Sequence, residues 1–326
     1  MGQMVDGEWR TGWYEPNAAG AFERPKTCFR SWVTKDGSSG FLAEPGRYHL
    51  YAAYACPWAQ RALITRTMRG LEDVIPVTIV GPRMGDDGWC FDDDRDPIFD
   101  ARLLQEIYLH ADPRYTGRVT VPVLWDKKKQ TIVNNESREV MRMLDTVFDE
   151  FARDPRTLAP PDLIERIDHV LDAIYEPINN GVYKAGFATK QGAYDEAVQA
   201  LFSALDHWNA VLADQRFVCG DRLTEADIAL FTTLLRFDLV YYGHFKCNVR
   251  RLQDYEHLWG FVRDIYQMPA VKKATNLEHI KVHYYWSQTT VNPYRIIPRG
   301  PTIDFDAPHK RARVGLRLAR TAESRL

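Results

Sequence analysis

Cys56 lies in Tyr54-Ala-Cys-Pro-Trp-Ala-Gln60, where a strand-like run gives way to a helix-like run. Pro57 follows at once, in the first helical turn, where its missing N–H costs nothing. The spacing therefore places the thiol at a helix N-terminus. There the free N–H groups and the helix dipole favour thiolate, the form that attacks another sulfur. The fourth position of Cys-Pro-Trp-Ala is Ala59, so the motif holds no resolving cysteine. A mixed disulfide formed on Cys56 must pass to an external thiol, and glutathione is the obvious one. The competing reading is a small buried cysteine that fits a tight turn.

Other residues could complete such a site. Val121-Pro122 precedes a strand, and in a thioredoxin layout a cis proline there turns backbone groups outward to pair with a peptide. Asn135-Glu136-Ser137 opens a helix whose N–H groups and serine hydroxyl could bind a carboxylate, while Glu136 could accept an ammonium group. Together they would suit the γ-glutamyl end of glutathione; a plain N-cap is the alternative. Trp89 lies in a Gly/Asp-rich loop and Arg118 flanks a strand, and neither is informative alone. Tyr183, Tyr241-Tyr242 and His283-Tyr-Tyr-Trp make the second half unusually aromatic. Tyrosines can line an apolar pocket, donate to a phenolate or steady a thiolate, and each can equally be core packing. His279 and His283 are four apart without a third ligand or a His-Glu-x-x-His pattern, so no metal is expected.

These residues need a scaffold. Residues 1–46 show little periodicity and read as an irregular extension. A strand over 48–54, a helix over 57–69 and a β-branched strand over 74–80 make a βαβ unit with a parallel pair. A helix over 98–110, a strand over 119–125, a hairpin partner at 131–134 and a helix over 136–148 follow. The order βαβ–α–ββ–α is a thioredoxin-type layout. Prolines at 155, 160 and 161 mark a linker. Helical patterns then run over 161–180, 191–213, 224–241, 254–267 and 269–276. Thr224-Glu-Ala-Asp227 resembles a capping box, a structural signal. The fold class is thus α/β plus all-α. The expected domains are an extension packing on the body (1–47), a thioredoxin-like domain (48–150), an all-helical domain (160–286) and an irregular tail (287–326).

The chain has 326 residues and a formal net charge of −2, which gives no global pull toward nucleic acid or anionic membrane. The basic run from His309 to Arg320 reads as a solvated tail. No apolar run approaches a membrane span, and the N-terminus lacks the basic start and apolar core of a signal peptide. Asp6 stands where a myristoylation signal needs Ser or Thr. Five cysteines, odd in number and scattered, point to reduced thiols and a cytoplasmic home.

Taken together, Cys56-Pro-Trp-Ala, Val121-Pro, Glu136-Ser and the all-helical second half resemble a cytosolic glutathione transferase. The finer resemblance is to the Xi class, the glutathionyl-hydroquinone reductases. It is carried by Gly46-Arg-Tyr-His-Leu-Tyr, Asn134-Asn-Glu-Ser, Asn179-Asn-Gly-Val-Tyr-Lys, Gly243-His-Phe-Lys-Cys-Asn and Val291-Asn-Pro to Pro298-Arg-Gly-Pro, and spans residues 1–301. The resemblance implies a glutathione-transferase C-terminal domain and reduction of a glutathionyl-hydroquinone through a Cys56–glutathione mixed disulfide. It makes Tyr183 the proton donor, and Tyr241 and Tyr284 the tyrosines that keep the thiol acidic. Trp89, Arg118, Val119, Thr120, Val121, Glu136 and Ser137 match glutathione-binding positions. Glutathione is implied as co-substrate with no permanently bound cofactor, and the assembly as a homodimer through the helical domain. The family usually carries His where this chain has Gln60 and Gln288, and Gln cannot titrate near neutral pH. An Omega-like thioltransferase that needs Cys56 but not Tyr183 is the nearest alternative. A non-catalytic ligand-binding protein on the same scaffold is another.

Overall fold

The computed structural model describes residues 2–92, 95–312 and 314. They fall into two compact units. The first takes the described residues of Met1–Glu15, Arg24–Thr157 and Lys273–Pro298; the second takes those of Pro16–Glu23, Leu158–Lys272 and Arg299–Leu326.

In the first unit the chain opens with a hairpin, not an irregular run. Strands β1 (Gly2–Val5) and β2 (Glu8–Thr11) pair antiparallel. Asp6 and Gly7 turn between them with φ of 51° and 81°. A two-residue Asp-Gly turn with both φ positive matches the twist of a hairpin, and glycine adopts it at no steric cost. The main sheet holds β3 (Tyr48–Ala52), β4 (Val77–Ile79), β5 (Val123–Asp126) and β6 (Thr131–Asn134) in the order β4-β3-β5-β6. β3 runs parallel to β4 and antiparallel to β5. Every residue of β3 and β5 is buried, as expected for central strands covered on both faces. Helices α1 (Pro57–Met68) and α3 (Ser137–Thr146) pack on each other, and α2 (Leu104–Ala111) packs on β6.

Several boundaries differ from the sequence reading, two of them by four residues or more. α2 starts at Leu104, not at 98. The Asp96 carboxylate accepts the Ile98 and Phe99 N–H groups at 3.1 and 2.5 Å, and Asp100 turns to a φ of 55°, which ends any helix there. β5 starts at Val123, because residues 119–122 lead into it through a cis Val121–Pro122 bond.

The second unit is helical: α4 (Ile164–Ile174), α5 (Gly181–Gly186), α6 (Gln191–Asp214), α7 (Glu225–Leu234), α8 (Glu256–Tyr266) and α9 (Pro269–Lys273), whose last residue belongs to the first unit. Wide π turns at Tyr175–Asn179 and Phe237–Tyr241 follow α4 and α7. The first contains Pro177, whose ring and missing N–H disrupt the α ladder. The Thr224 N–H and hydroxyl both donate to Asp227 at 2.8 Å, and the Val218 N–H donates to it at 2.7 Å, so this motif closes a helix end. Burial pushes Asp227 up to about 6.

Two regions depart from the expected organisation. Helix α10 (Leu277–Ser287), all but its last residue within the range expected for the helical domain, lies in the first unit. Arg311, read as part of a solvated tail, is buried instead. It donates to the Leu212, Gln215 and Arg216 carbonyls at the end of α6, where unpaired C=O groups attract a cation. Residues 313 and 315–326, the rest of that basic run and tail, lie outside the described residues.

Candidate active site

β3 delivers the chain to Cys56 within four residues. The Cys56 N–H closes a turn on the Ala53 carbonyl at 3.2 Å. Cys56 is the extended N-cap of α1, with φ −82° and ψ 120°, and Pro57 is in the first helical turn. The thiol is half-buried and donates to the Val121 carbonyl at 3.7 Å, beside the cis bond. The N-terminal end of the α1 dipole favours negative charge on this sulfur. All five cysteines are free thiols, and burial raises three of them away from reactivity: Cys90, Cys247 and Cys219, the last up to about 11.

The next turn of α1 looks inward. Gln60 is fully buried, and its amide donates to the Ala274 carbonyl at 3.2 Å and to the Thr275 hydroxyl at 2.9 Å. An uncharged amide suits that position, because it satisfies two acceptors without burying a charge. Arg61, also buried, covers the Trp58 ring and reaches the Ser137 hydroxyl at 3.5 Å.

Glu136 caps α3 and Ser137 begins it. The Glu136 carboxylate accepts from the Thr27 hydroxyl at 3.3 Å, and its N–H donates to Asn134 at 2.7 Å. A residue that the sequence did not single out ties this corner to the Val121 segment. The Tyr108 hydroxyl donates to the Thr120 carbonyl at 2.8 Å and accepts the Asn135 amide at 3.1 Å and the Thr120 N–H at 3.2 Å. Tyr108 is fully buried on α2. Val119 and Val121 are buried and Thr120 is half-buried beside it.

Arg118 points elsewhere. It donates to the Gly2 carbonyl at 3.0 Å and the Trp13 carbonyl at 3.1 Å, with its guanidinium 4.2 Å from the Tyr14 ring centre. Trp89 is buried and stacks on His283 of α10. Tyr284, next to His283, is buried in the same unit. Tyr183 and Tyr241 lie in the second unit, their ring centres 6.0 Å apart and 5.6 and 5.4 Å from that of Phe245. Gly186 makes room for that cluster: a Cβ there would lie 2.3 Å from the Phe245 ring. Among the described residues no group of His, Cys, Asp and Glu could hold a metal ion, and no helix is long and apolar enough to cross a membrane.

Residues 55–147 match the family profile "Glutathione S-transferase, N-terminal domain", and residues 191–264 match "Glutathione S-transferase, C-terminal domain". The structure of a Xi class transferase from Natrialba magadii superposes with a TM-score of 0.91 at 54% identity, over 96% of this chain and 97% of that one. The glutathionyl-hydroquinone reductase YqjG of Escherichia coli K12 is 50% identical over 95% of this chain and 98% of its own. The chain belongs to the glutathionyl-hydroquinone reductases. A glutathione-bound structure of that E. coli relative has a TM-score of 0.87 at 48% identity, over 95% of this reductase and 99% of the relative. In this reductase the N-terminal match carries Cys56, Trp89, Arg118 to Val121, Glu136 and Ser137; the C-terminal match carries Tyr241 and begins after Tyr183.

Proposed function

We propose that this chain reduces glutathionyl-hydroquinones to hydroquinones with glutathione as co-substrate. The observation that carries the reading is a lone, half-buried thiol at the N-terminus of α1, with Ala59 where a resolving cysteine would stand. Its membership among the reductases supports the substrate class. The Cys56 thiolate attacks the sulfur of the conjugate. The carbon–sulfur bond breaks, its electron pair stays on the ring carbon, and that carbon takes a proton from Tyr183. Cys56 is left in a mixed disulfide with glutathione. A second glutathione, as thiolate, attacks that disulfide, restores the Cys56 thiolate and leaves as glutathione disulfide. The conjugate is reduced and two glutathione sulfurs are oxidised, so the electrons balance.

Glutathione binds through Trp89, the backbone of the Arg118–Val121 segment, Glu136 and the start of α3 at Ser137, where the positive end of the helix dipole suits a carboxylate. Tyr241 and Tyr284 favour the thiolate. The enzyme acts in the cytoplasm as a homodimer joined through its helical part.

The test is one turnover with a glutathionyl-hydroquinone, followed by mass spectrometry of Cys56. One glutathione on Cys56 is expected, and Cys56→Ser should abolish both adduct and turnover. Rapid reduction of a small glutathione mixed disulfide with no action on the hydroquinone conjugate would replace this reading with a thioltransferase.

A further inference from the structure

Trp89 sits on a loop that α10 grips at three points. Its ring lies nearly parallel to His283, with centres 4.6 Å apart and planes 11° from each other. Nδ1 of His283 lies 3.0 Å from the Pro82 carbonyl, which can only accept, so Nδ1 carries the proton. One turn later the Ser287 hydroxyl accepts the Met84 N–H at 3.0 Å. Both side chains are buried. The loop is also pinned at its base, where the Gly81 N–H donates to the Cys90 carbonyl at 2.8 Å. The segment just before α10 is held in turn by Gln60, four residues after Cys56. The ring that α10 holds against the loop fixes the plane of the indole.

We propose that His283 is a positioning residue for the known reaction: it sets the plane of Trp89 and through it the affinity for glutathione. This rests on the reading that Trp89 contacts glutathione. The sulfur chemistry at Cys56 does not pass through His283. What matters is the flat ring that α10 presents to the indole, since aromatic pairs depend on ring geometry beyond their buried area.

Two substitutions separate the ring from the hydrogen bond. His283→Phe keeps the stacking ring and loses the bond to Pro82; His283→Gln keeps a donor and loses the ring. The glutathione KM and kcat of the full-length enzyme are measured for each, with Trp89→Ala and the Trp89→Ala/His283→Gln double variant alongside. KM is independent of the fraction of enzyme that folds, so partial misfolding changes only the apparent kcat. His283→Gln should raise the glutathione KM about fivefold, on the order of one stacking contact, with kcat within about twofold. His283→Phe should stay close to wild type. The double variant should match Trp89→Ala alone, since neither ring can act without the other. A glutathione KM that His283→Gln leaves unchanged while Trp89→Ala raises it overturns the positioning role and spares the Trp89 reading. So do equal losses in the Phe and Gln variants, or effects that multiply in the double variant. A Trp89→Ala enzyme with wild-type glutathione KM removes the Trp89 contact itself, and the inference falls with it.

Discussion

In the proposed reaction Cys56 is the nucleophile and Tyr183 the proton donor, and the two should fail differently. Cys56 serves every substrate whose sulfur it attacks. Tyr183 matters only where a carbon leaving group needs a proton, because a thiolate leaves a disulfide without one. Tyr183→Phe should therefore slow hydroquinone release by about 100-fold, on the order of one positioned acid, while leaving Cys56 adduct formation from a glutathione disulfide within about twofold. Single-turnover kinetics with both substrates measures this. Equal slowing with both would show that Tyr183 only shapes the pocket. Its neighbours Phe187 and Phe245, with ring centres 5.8 and 5.6 Å away, are why Phe is the substitution of choice: the packing stays and only the hydroxyl goes.

At the scale of elements, the N-terminal hairpin is bound to the segment that leads into Val121. Met4 and Gly117 exchange backbone hydrogen bonds of 2.9 and 3.0 Å, the Gly7 N–H donates to the Tyr115 carbonyl at 3.1 Å, and the Trp9 indole donates to the Asp86 carbonyl at 2.8 Å. Arg118 locks the arrangement from inside by bridging Gly2 and Trp13. Arg118→Ala removes two charge-assisted bonds, each worth about 1.5–3 kcal/mol where buried. It should raise hydrogen exchange at the Met4 and Gly7 amides about tenfold or more, with the β3 and β5 amides unchanged. Wild-type exchange at Met4 and Gly7 would mean that the backbone bonds hold the hairpin without Arg118.

At the scale of the whole chain, pH dependence of stability should show the imprint of His49. It lies on β3, bonded to the Thr78 hydroxyl on β4 at 2.8 Å, and is only 4% exposed. Burial first, then the charges of Lys127 and Arg66, push it down to about 4. An unfolded histidine titrates near ~6.5, so between those values the unfolded chain binds more protons than the native one. The contribution is fully present above about pH 6.5 and is lost as pH falls toward 4, up to about 3 kcal/mol. Urea midpoints at pH 7 and pH 5 should diverge for wild type, and His49→Gln should narrow that gap. Parallel losses in the two proteins would assign the acid sensitivity to other groups.

What is settled within one or two turns of chain can be read directly from the residues. A proline after Cys56 fixes where a helix starts, Ala59 shows that no second thiol is in the motif, and Thr224 to Asp227 closes a helix end. The Asp6-Gly7 turn is equally local, an Asp-Gly hairpin signal set in an extension without periodicity. Where distant polar groups find their partners emerges only once the chain has folded. Gln60 meets Thr275, Arg118 meets Gly2, Tyr108 joins Thr120 to Asn135, and Arg311 caps α6. The same reason places α10 against the Trp89 loop, so that residues near the end of the chain pack on a segment of the candidate site. Periodicity reports which face of a helix is apolar. Which distant carbonyl or ring that face meets depends on the groups left unsatisfied once the other elements have packed.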